Sequence, residues 1–179
     1  RDIMSGWGYY VYFCFMRHLA YASRMTDDIC LAMDYDVYNI NYKPEHLPED
    51  KIMFFANQNP CCISGNNDLF LELCILMSKF TQENIADYKR SFDNSIALHD
   101  MGWIKYTLDL PDDLSKELKD KVIFNQHKIQ GSETSANKSL IHVSFWWLRK
   151  HLEDKSLTVT DLSVDERLKL RHILAKEQL

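Results

Sequence analysis

The sequence predicts an all-α fold: a single compact helical domain over residues 1–179, with about six or seven helices. Three observations support this prediction. Apolar side chains recur at intervals of three or four along most of the chain, as on one face of a helix. Only five glycines and four prolines interrupt it. Hydrophobic residues make up 46% and charged residues 26%, which is typical of a globular chain with a substantial core.

The N-terminal third contains the first predicted helix and the main irregularity. Residues 9–33 read as one helix, and its apolar run GWGYYVYFCFM is too short for the roughly 20 residues of a membrane span. Its flanks do not resemble a signal peptide. Residues 34–65 contain three of the four prolines and predict an irregular insertion. Within it, KIMFFA at residues 51–56 fits either a short strand or a helical turn.

A central helix is predicted to carry a histidine–aspartate doublet at its end. Apolar residues at spacings of three or four run up to His99 from Ile85, Tyr88, Phe92 and Ile96, so His99 is expected on the buried face. Asp100 falls near the edge of that face, and Gly102 is expected to end the helix. The helix before it, residues 67–80, begins with an asparagine or aspartate cap.

The C-terminal third is predicted to be helical throughout. PDDLSKELKDKVIFNQH begins with a proline and acidic residues, as first helical turns prefer. NKSLIHVSFWWLRKHL has apolar residues at near-helical spacing. SVDERLKLRHILAKEQL begins with a capping box formed by Ser163 and Glu166.

Net charge and cysteine content limit the kinds of partner and the cellular compartment that we expect. The net charge of −5 argues against a general electrostatic grip on nucleic acid. The five cysteines include no CxxC pair, which argues against a zinc ribbon or a thioredoxin-like site. Reduced, mostly buried thiols and a cytoplasmic location are therefore expected.

Three segments resemble the HD superfamily of metal-dependent phosphohydrolases. LHDMG at residues 98–102 is similar to the family's histidine–aspartate signature, RHLAYASRM at 17–25 to its first histidine helix, and HKIQGSETSA at 127–136 to a downstream stretch. The resemblance implies that His18, His99 and Asp100 bind a divalent metal: iron, manganese, zinc, nickel or magnesium. A late aspartate, Asp161 or else Asp165, would complete the set.

The same resemblance implies hydrolysis of a small phosphorylated substrate, a phosphate ester or nucleotide. Asp100 and His127 would be catalytic, and His127 would serve a second metal together with His151 or His172. Imidazole and carboxylate ligands suit such ions, which can polarise a phosphoryl oxygen and activate a bound water.

Plainer interpretations stay open for each of these residues. His99 and Asp100 also fit the polar end of an ordinary helix, and His18 fits a histidine packed among aromatic side chains. A second function class is a non-catalytic helical bundle that binds a protein partner, similar in bulk properties to Bcl-2-like regulators. A third is an HD domain that has kept its fold and lost its metal.

Overall fold

The computed structural model describes residues 9–39, 42–43, 47–56, 59–91, 98–124, 129–131, 140–153, 155 and 157–177. Within these residues the fold is mixed α/β, with seven α-helices and two β-sheets. The prediction of an all-α helical bundle is therefore wrong.

The helices surround two separate sheets. They are α1 (Tyr9–Arg24), α2 (Asn67–Ser78), α3 (Gln82–Ser91), α4 (Asp100–Asp109), α5 (Asp113–Lys121), α6 (Phe145–Glu153) and α7 (Val164–Lys176). Two predicted helix starts are confirmed. The Asn66 side chain caps α2 by accepting from the backbone N–H of Leu69, and Ser163 and Glu166 form the capping box of α7.

Strands replace helix or loop at several predicted positions. They are β1 (Cys30–Met33), β2 (Val37–Asn39), β3 (Ile52–Ala56), β4 (Asn59–Gly65), β5 (Val122–Phe124), β6 (Ile129–Gly131) and β7 (Leu140–His142). The first sheet has the order β1-β4-β3-β5, in which only the β3–β5 pair is parallel. The second has the order β2-β7-β6, antiparallel between β2 and β7 and parallel between β7 and β6.

Residues 34–65 are not an irregular insertion. They supply β2 and the two central strands of the first sheet, and most side chains of β3 and β4 are buried. Pro60 is tolerated because it lies near the β3–β4 turn, before β4 begins to pair with β1 at Cys62. Within KIMFFA, β3 begins at Ile52. A short apolar run alone fits either a strand or a helical turn, and here pairing with β4 on one side and β5 on the other makes it a strand.

The histidine–aspartate doublet starts a helix instead of ending one. The helix with Ile85 and Tyr88 ends at Ser91, and residues 92–97 lie outside the described residues. His99 is the N-cap of α4, and Gly102 lies in its first turn. A Cβ atom at Gly102 would lie 2.5 Å from the Tyr88 hydroxyl, so the glycine serves the close approach of α4 to α3.

Three apolar clusters hold the helices and sheets together, and the smallest, with Phe55 and Leu140, joins the two sheets. The largest joins the first sheet to α1, α2, α4 and α5 around Phe54, Phe70 and Trp103. The second packs α6 and α7 onto the second sheet through Ile141 and Leu174. In the part of the chain described, no helix combines the length and apolar character that a membrane crossing needs.

Candidate functional site

A buried carboxylate joins α1 to the start of α4. Asp100 is 1% exposed, and its Oδ2 accepts hydrogen bonds from Arg17 Nε at 2.8 Å and Arg17 Nη2 at 2.6 Å. The same oxygen lies 3.1 Å from His18 Nε2. Its Oδ1 accepts from the backbone N–H of Met101. Asp100 therefore has its charge and most of its lone pairs satisfied within the protein.

Arg17 extends this arrangement to the loop after β1. Its Nη1 donates to both carboxylate oxygens of Asp34 at 2.9 Å. The guanidinium is therefore shared between two carboxylates. We call Arg17, His18, Asp34 and Asp100 the Arg17 cluster.

The pKa values within the Arg17 cluster follow from burial and charge. Burial raises the pKa of Asp100, but the hydrogen bond from His18 and the charge of Arg17 outweigh it and hold that pKa below its usual value. At Asp34 burial wins over Arg17, and the pKa is raised. Because the Asp100 carboxylate is ionised and only accepts, His18 Nε2 must carry the proton that it donates. His18 Nδ1, which is buried, has no hydrogen-bond partner.

His99 contacts the edge of the Arg17 cluster. Its Nδ1 accepts from the backbone N–H of Gly102 at 3.3 Å and lies 3.9 Å from Asp100 Oδ1. Burial lowers the pKa of His99, with an opposing effect from Asp100 and a reinforcing one from Arg17. His99 is thus a neutral helix cap near neutral pH.

Three of the residues that the HD resemblance implies as ligands, His18, His99 and Asp100, lie together. His18 and His99 both flank Asp100, but the guanidinium of Arg17 already occupies the carboxylate oxygen that a metal ion would need. Among the described residues, no group of three histidine, cysteine, aspartate or glutamate side chains is arranged to hold a metal ion. The metal assignment stays a prediction, and the geometry of these residues gives it no support.

The other predicted site residues lie elsewhere or outside the described residues. Asp161 is exposed and accepts from the backbone N–H and hydroxyl of Thr158, so its carboxylate caps a short 3₁₀ turn. Asp165 is in the first turn of α7. The ring of His172 packs against Tyr38, and His151 lies on α6. His127 lies outside the described residues.

A second group of ionisable side chains lies where the two sheets meet. His142 ends β7, and its Nε2 lies 3.5 Å from Oδ1 of Asp36, which precedes β2. Burial lowers the pKa of His142, but the neighbouring Asp36 carboxylate and Cys61 thiol outweigh it and raise that pKa to about 10. His142 is therefore an imidazolium at neutral pH, paired with Asp36.

The thiols at this junction are shielded and protonated. Cys61 is 1% exposed, and burial raises its pKa more than His142 lowers it. Burial and the charge of Asp34 raise the pKa of Cys62 to about 12. A nucleophilic cysteine needs a thiolate and access, so the Cys61–His142–Asp36 arrangement is structural in this state.

A second buried arginine lies on α7. Arg171 is 5% exposed, and its guanidinium carbon lies 4.9 Å from the ring centroid of Tyr35, in the turn between β1 and β2. Its Nε is buried without a hydrogen-bond partner. Tyr38 is close enough that Arg171 acts to lower its pKa, although burial raises it on balance.

No family model, no curated protein and no solved structure matches the chain significantly. Any function must therefore be argued from the geometry of the chain itself.

Several residues that organise these groups were not predicted from the sequence. They are Arg17, Asp34, Asp36, His142 and Arg171. Arg17 could have been noticed in the sequence, because it directly precedes His18 and the structure shows it half-buried on α1. Asp36 and His142 pair between strands that were not predicted, and Asp34 and Arg171 have partners far away in the sequence, so spacing along the chain could not assign them.

Proposed function

We propose that this chain is a non-catalytic domain that binds a protein partner through the outer surfaces of α1 and α2. One observation carries the proposal: large apolar side chains between 44% and 63% exposed lie on both of these neighbouring helices. They are Tyr12, Phe13, Leu19, Leu71 and Ile75. We call these five residues the α1–α2 face.

The helices underneath this face are rigidly held. Tyr21 of α1 and Phe70 of α2 pack edge to face with ring centroids 5.5 Å apart, and Phe70 is fully buried. The Arg17 cluster ties the inner side of α1 to α4. Leu71 and Ile75 are one helical turn apart, so they project from the same side of α2. Clustered exposed apolar residues on a fixed scaffold are typical of protein interaction surfaces.

The buried ionisable groups support a binding role over a catalytic one. Arg17 and Asp100 satisfy each other, and the thiols of Cys61 and Cys62 are shielded and protonated. The hydrolase hypothesis remains an untested prediction, and its all-helical scaffold is not the fold of this chain.

Site-specific photo-crosslinking in the cell of origin tests the proposal. A benzophenone side chain is placed at Phe13 and, as a matched control, at Val164, which is 64% exposed on α7. We expect a discrete protein adduct from position 13 and none from position 164. Leu71→Ser with Ile75→Ser should weaken binding roughly 30- to 150-fold, as expected for losing interface hot spots.

The outcome that would overturn the proposal is equally specific. Identical adducts from both positions, or none from position 13, would show that the α1–α2 face has no selective partner. An adduct that survives the Leu71→Ser and Ile75→Ser changes undiminished would contradict it as well. Circular dichroism of each variant checks that the fold is retained.

A further inference from the structure

Arg171 is an almost fully buried arginine without an acidic partner. Only 5% of the residue is exposed, and no acidic side chain of the described residues forms an ion pair with it. Its Nε–H makes no hydrogen bond. Burying a charge without a counter-charge is unfavourable, so a native protein that retains one has a use for it or a ligand that satisfies it.

The surroundings hold the guanidinium in place and leave its charge uncompensated. The Tyr35 ring covers one face of the guanidinium, a cation–π contact that is stronger when the cation is desolvated. Stacking does not use the N–H groups, so this contact leaves the two terminal nitrogens able to donate hydrogen bonds, whereas Nε is buried. Tyr35 itself is 73% exposed, so the covering ring lies at the protein surface.

The two carboxylates that flank Tyr35 in the chain are already paired elsewhere, Asp34 with Arg17 and Asp36 with His142. Asp36 lies beside His142, with 3.5 Å between the carboxylate and imidazole. His142 is charged at neutral pH, so this pair is neutral as a whole. Neither member of this pair is therefore a free counter-charge for Arg171.

We propose that Arg171 is the binding site for a single carboxylate group, with Tyr35 as the wall that orients the guanidinium. A planar carboxylate matches the fork of an arginine, and two parallel N–H···O bonds would use its two terminal nitrogens, since Nε is buried. One guanidinium balances one monoanion, which favours a carboxylate over a phosphate dianion. The site is built from α7 and the β1–β2 turn, so it does not depend on the α1–α2 face.

The carboxylate has two sources, a small free acid or a peptide, and the test separates them. Two-dimensional NMR of ¹⁵N-labelled protein follows the arginine Nε–Hε resonances during titration with sodium acetate, against sodium chloride at equal ionic strength. A second titration uses a tetrapeptide with a free C-terminal carboxylate, and a third uses the same peptide with an amidated C-terminus.

We expect one arginine resonance to shift saturably with acetate, with half-saturation on the order of millimolar, and not with chloride. It should be absent from Arg171→Met, which assigns it. Arg90→Met is the matched control, since Arg90 pairs with Asp87 at the surface and its loss should leave the titration unchanged. Tighter binding of the free peptide than of both acetate and the amidated peptide would identify a peptide ligand. Tighter binding of acetate would identify a small acid.

Two further variants keep the proposal falsifiable if Arg171→Met does not fold. Arg171→Lys keeps the charge and loses the fork, so acetate binding, followed in this variant through the backbone amide resonances, should weaken about tenfold. Tyr35→Ala keeps the arginine and removes its wall, so binding should weaken as well. A chloride titration that matches acetate, a shift that persists in Arg171→Lys at full strength, or tighter binding of inorganic phosphate than of acetate would overturn the proposal.

Discussion

Arg17 and Arg171 are both withdrawn from solvent, but they are held in opposite ways. Arg17 donates to two carboxylates, and burial lowers its pKa less than Asp100 and Asp34 raise it. Among the described residues, the contact found for the Arg171 guanidinium is with the ring of Tyr35. A buried charge stabilises a fold only when its partners repay the loss of hydration. The comparison therefore separates a structural arginine from one that is available to a ligand.

The largest expected effect follows from removing the carboxylate that holds Arg17. Asp100→Ala leaves Arg17 and His18 without their shared acceptor, so the free energy of unfolding should fall by about 3 kcal/mol. Urea denaturation at neutral pH measures this. Asp161→Ala, at an exposed cap of a short 3₁₀ turn, is the control and should lose clearly less. Equal losses in the two variants would contradict the structural role of Asp100.

The next largest effect on the free energy of unfolding concerns the pair of His142 and Asp36, and it depends on pH. The folded state raises the pKa of His142 to about 10, so its stabilisation is complete below about pH 6.5 and is lost as the pH rises toward 10. His142→Gln should therefore remove a decline in stability on the order of 2 kcal/mol across this window. Measuring from about pH 6.5 to 7.5, where roughly 1 kcal/mol of that decline is expected, keeps thiols and tyrosines largely protonated.

His172→Gln provides the control for that titration, because His172 packs on Tyr38 without a carboxylate partner among the described residues. A His142→Gln protein with the same pH slope as the wild type would show that the pairing with Asp36 does not contribute.

The second carboxylate on Arg17 should matter less than the first. The Asp34 side chain is 27% exposed against 1% for Asp100, and its pKa is raised because burial outweighs Arg17. Asp34→Asn should therefore change the free energy of unfolding by no more than about 1 kcal/mol. A loss as large as that of Asp100→Ala would mean that the two carboxylates hold Arg17 equally.

The smallest expected effect concerns the cap of α4. Because the pKa of His99 is lowered in the folded state, protonation favours unfolding, and stability should fall as the pH drops below about 6.5. His99→Asn keeps a side-chain acceptor at the N-cap and does not titrate, so the variant should lose a few tenths of a kcal/mol less between about pH 6.5 and 5. Thermal unfolding at these two pH values measures the difference.

Local signals in the sequence predicted helix starts better than they predicted the fold. The Ser163 and Glu166 capping box and the asparagine at the start of α2 act within a few residues, so spacing alone identifies them. The strands β3 and β4 are stabilised by pairing with β1 and β5, and β5 lies more than fifty positions away from both. A short apolar run carries no information about such partners.

The candidate site was likewise predicted only in part. The proximity of His18 and His99 to Asp100 followed from a recognisable pattern, and the structure does place them together. The contact of the Arg17 guanidinium with Asp100 was not predicted, because the pattern assigns His18 to the doublet and says nothing of the residue before it. Arg171 was also missed. Its lack of an acidic partner among the described residues is a property of the three-dimensional fold and leaves no pattern in the sequence.

Paired methionine substitutions at the two arginines test the central claim most directly. Methionine fills similar volume without charge, so the free energy of unfolding reports what each guanidinium contributes. Arg17→Met should lose about 3 kcal/mol because Asp100 is left buried and unpaired, whereas Arg171→Met should stay within about 1 kcal/mol of the wild type or be more stable. A loss at Arg171 equal to that at Arg17 would show that Arg171 is held as firmly by the fold, and would contradict the account.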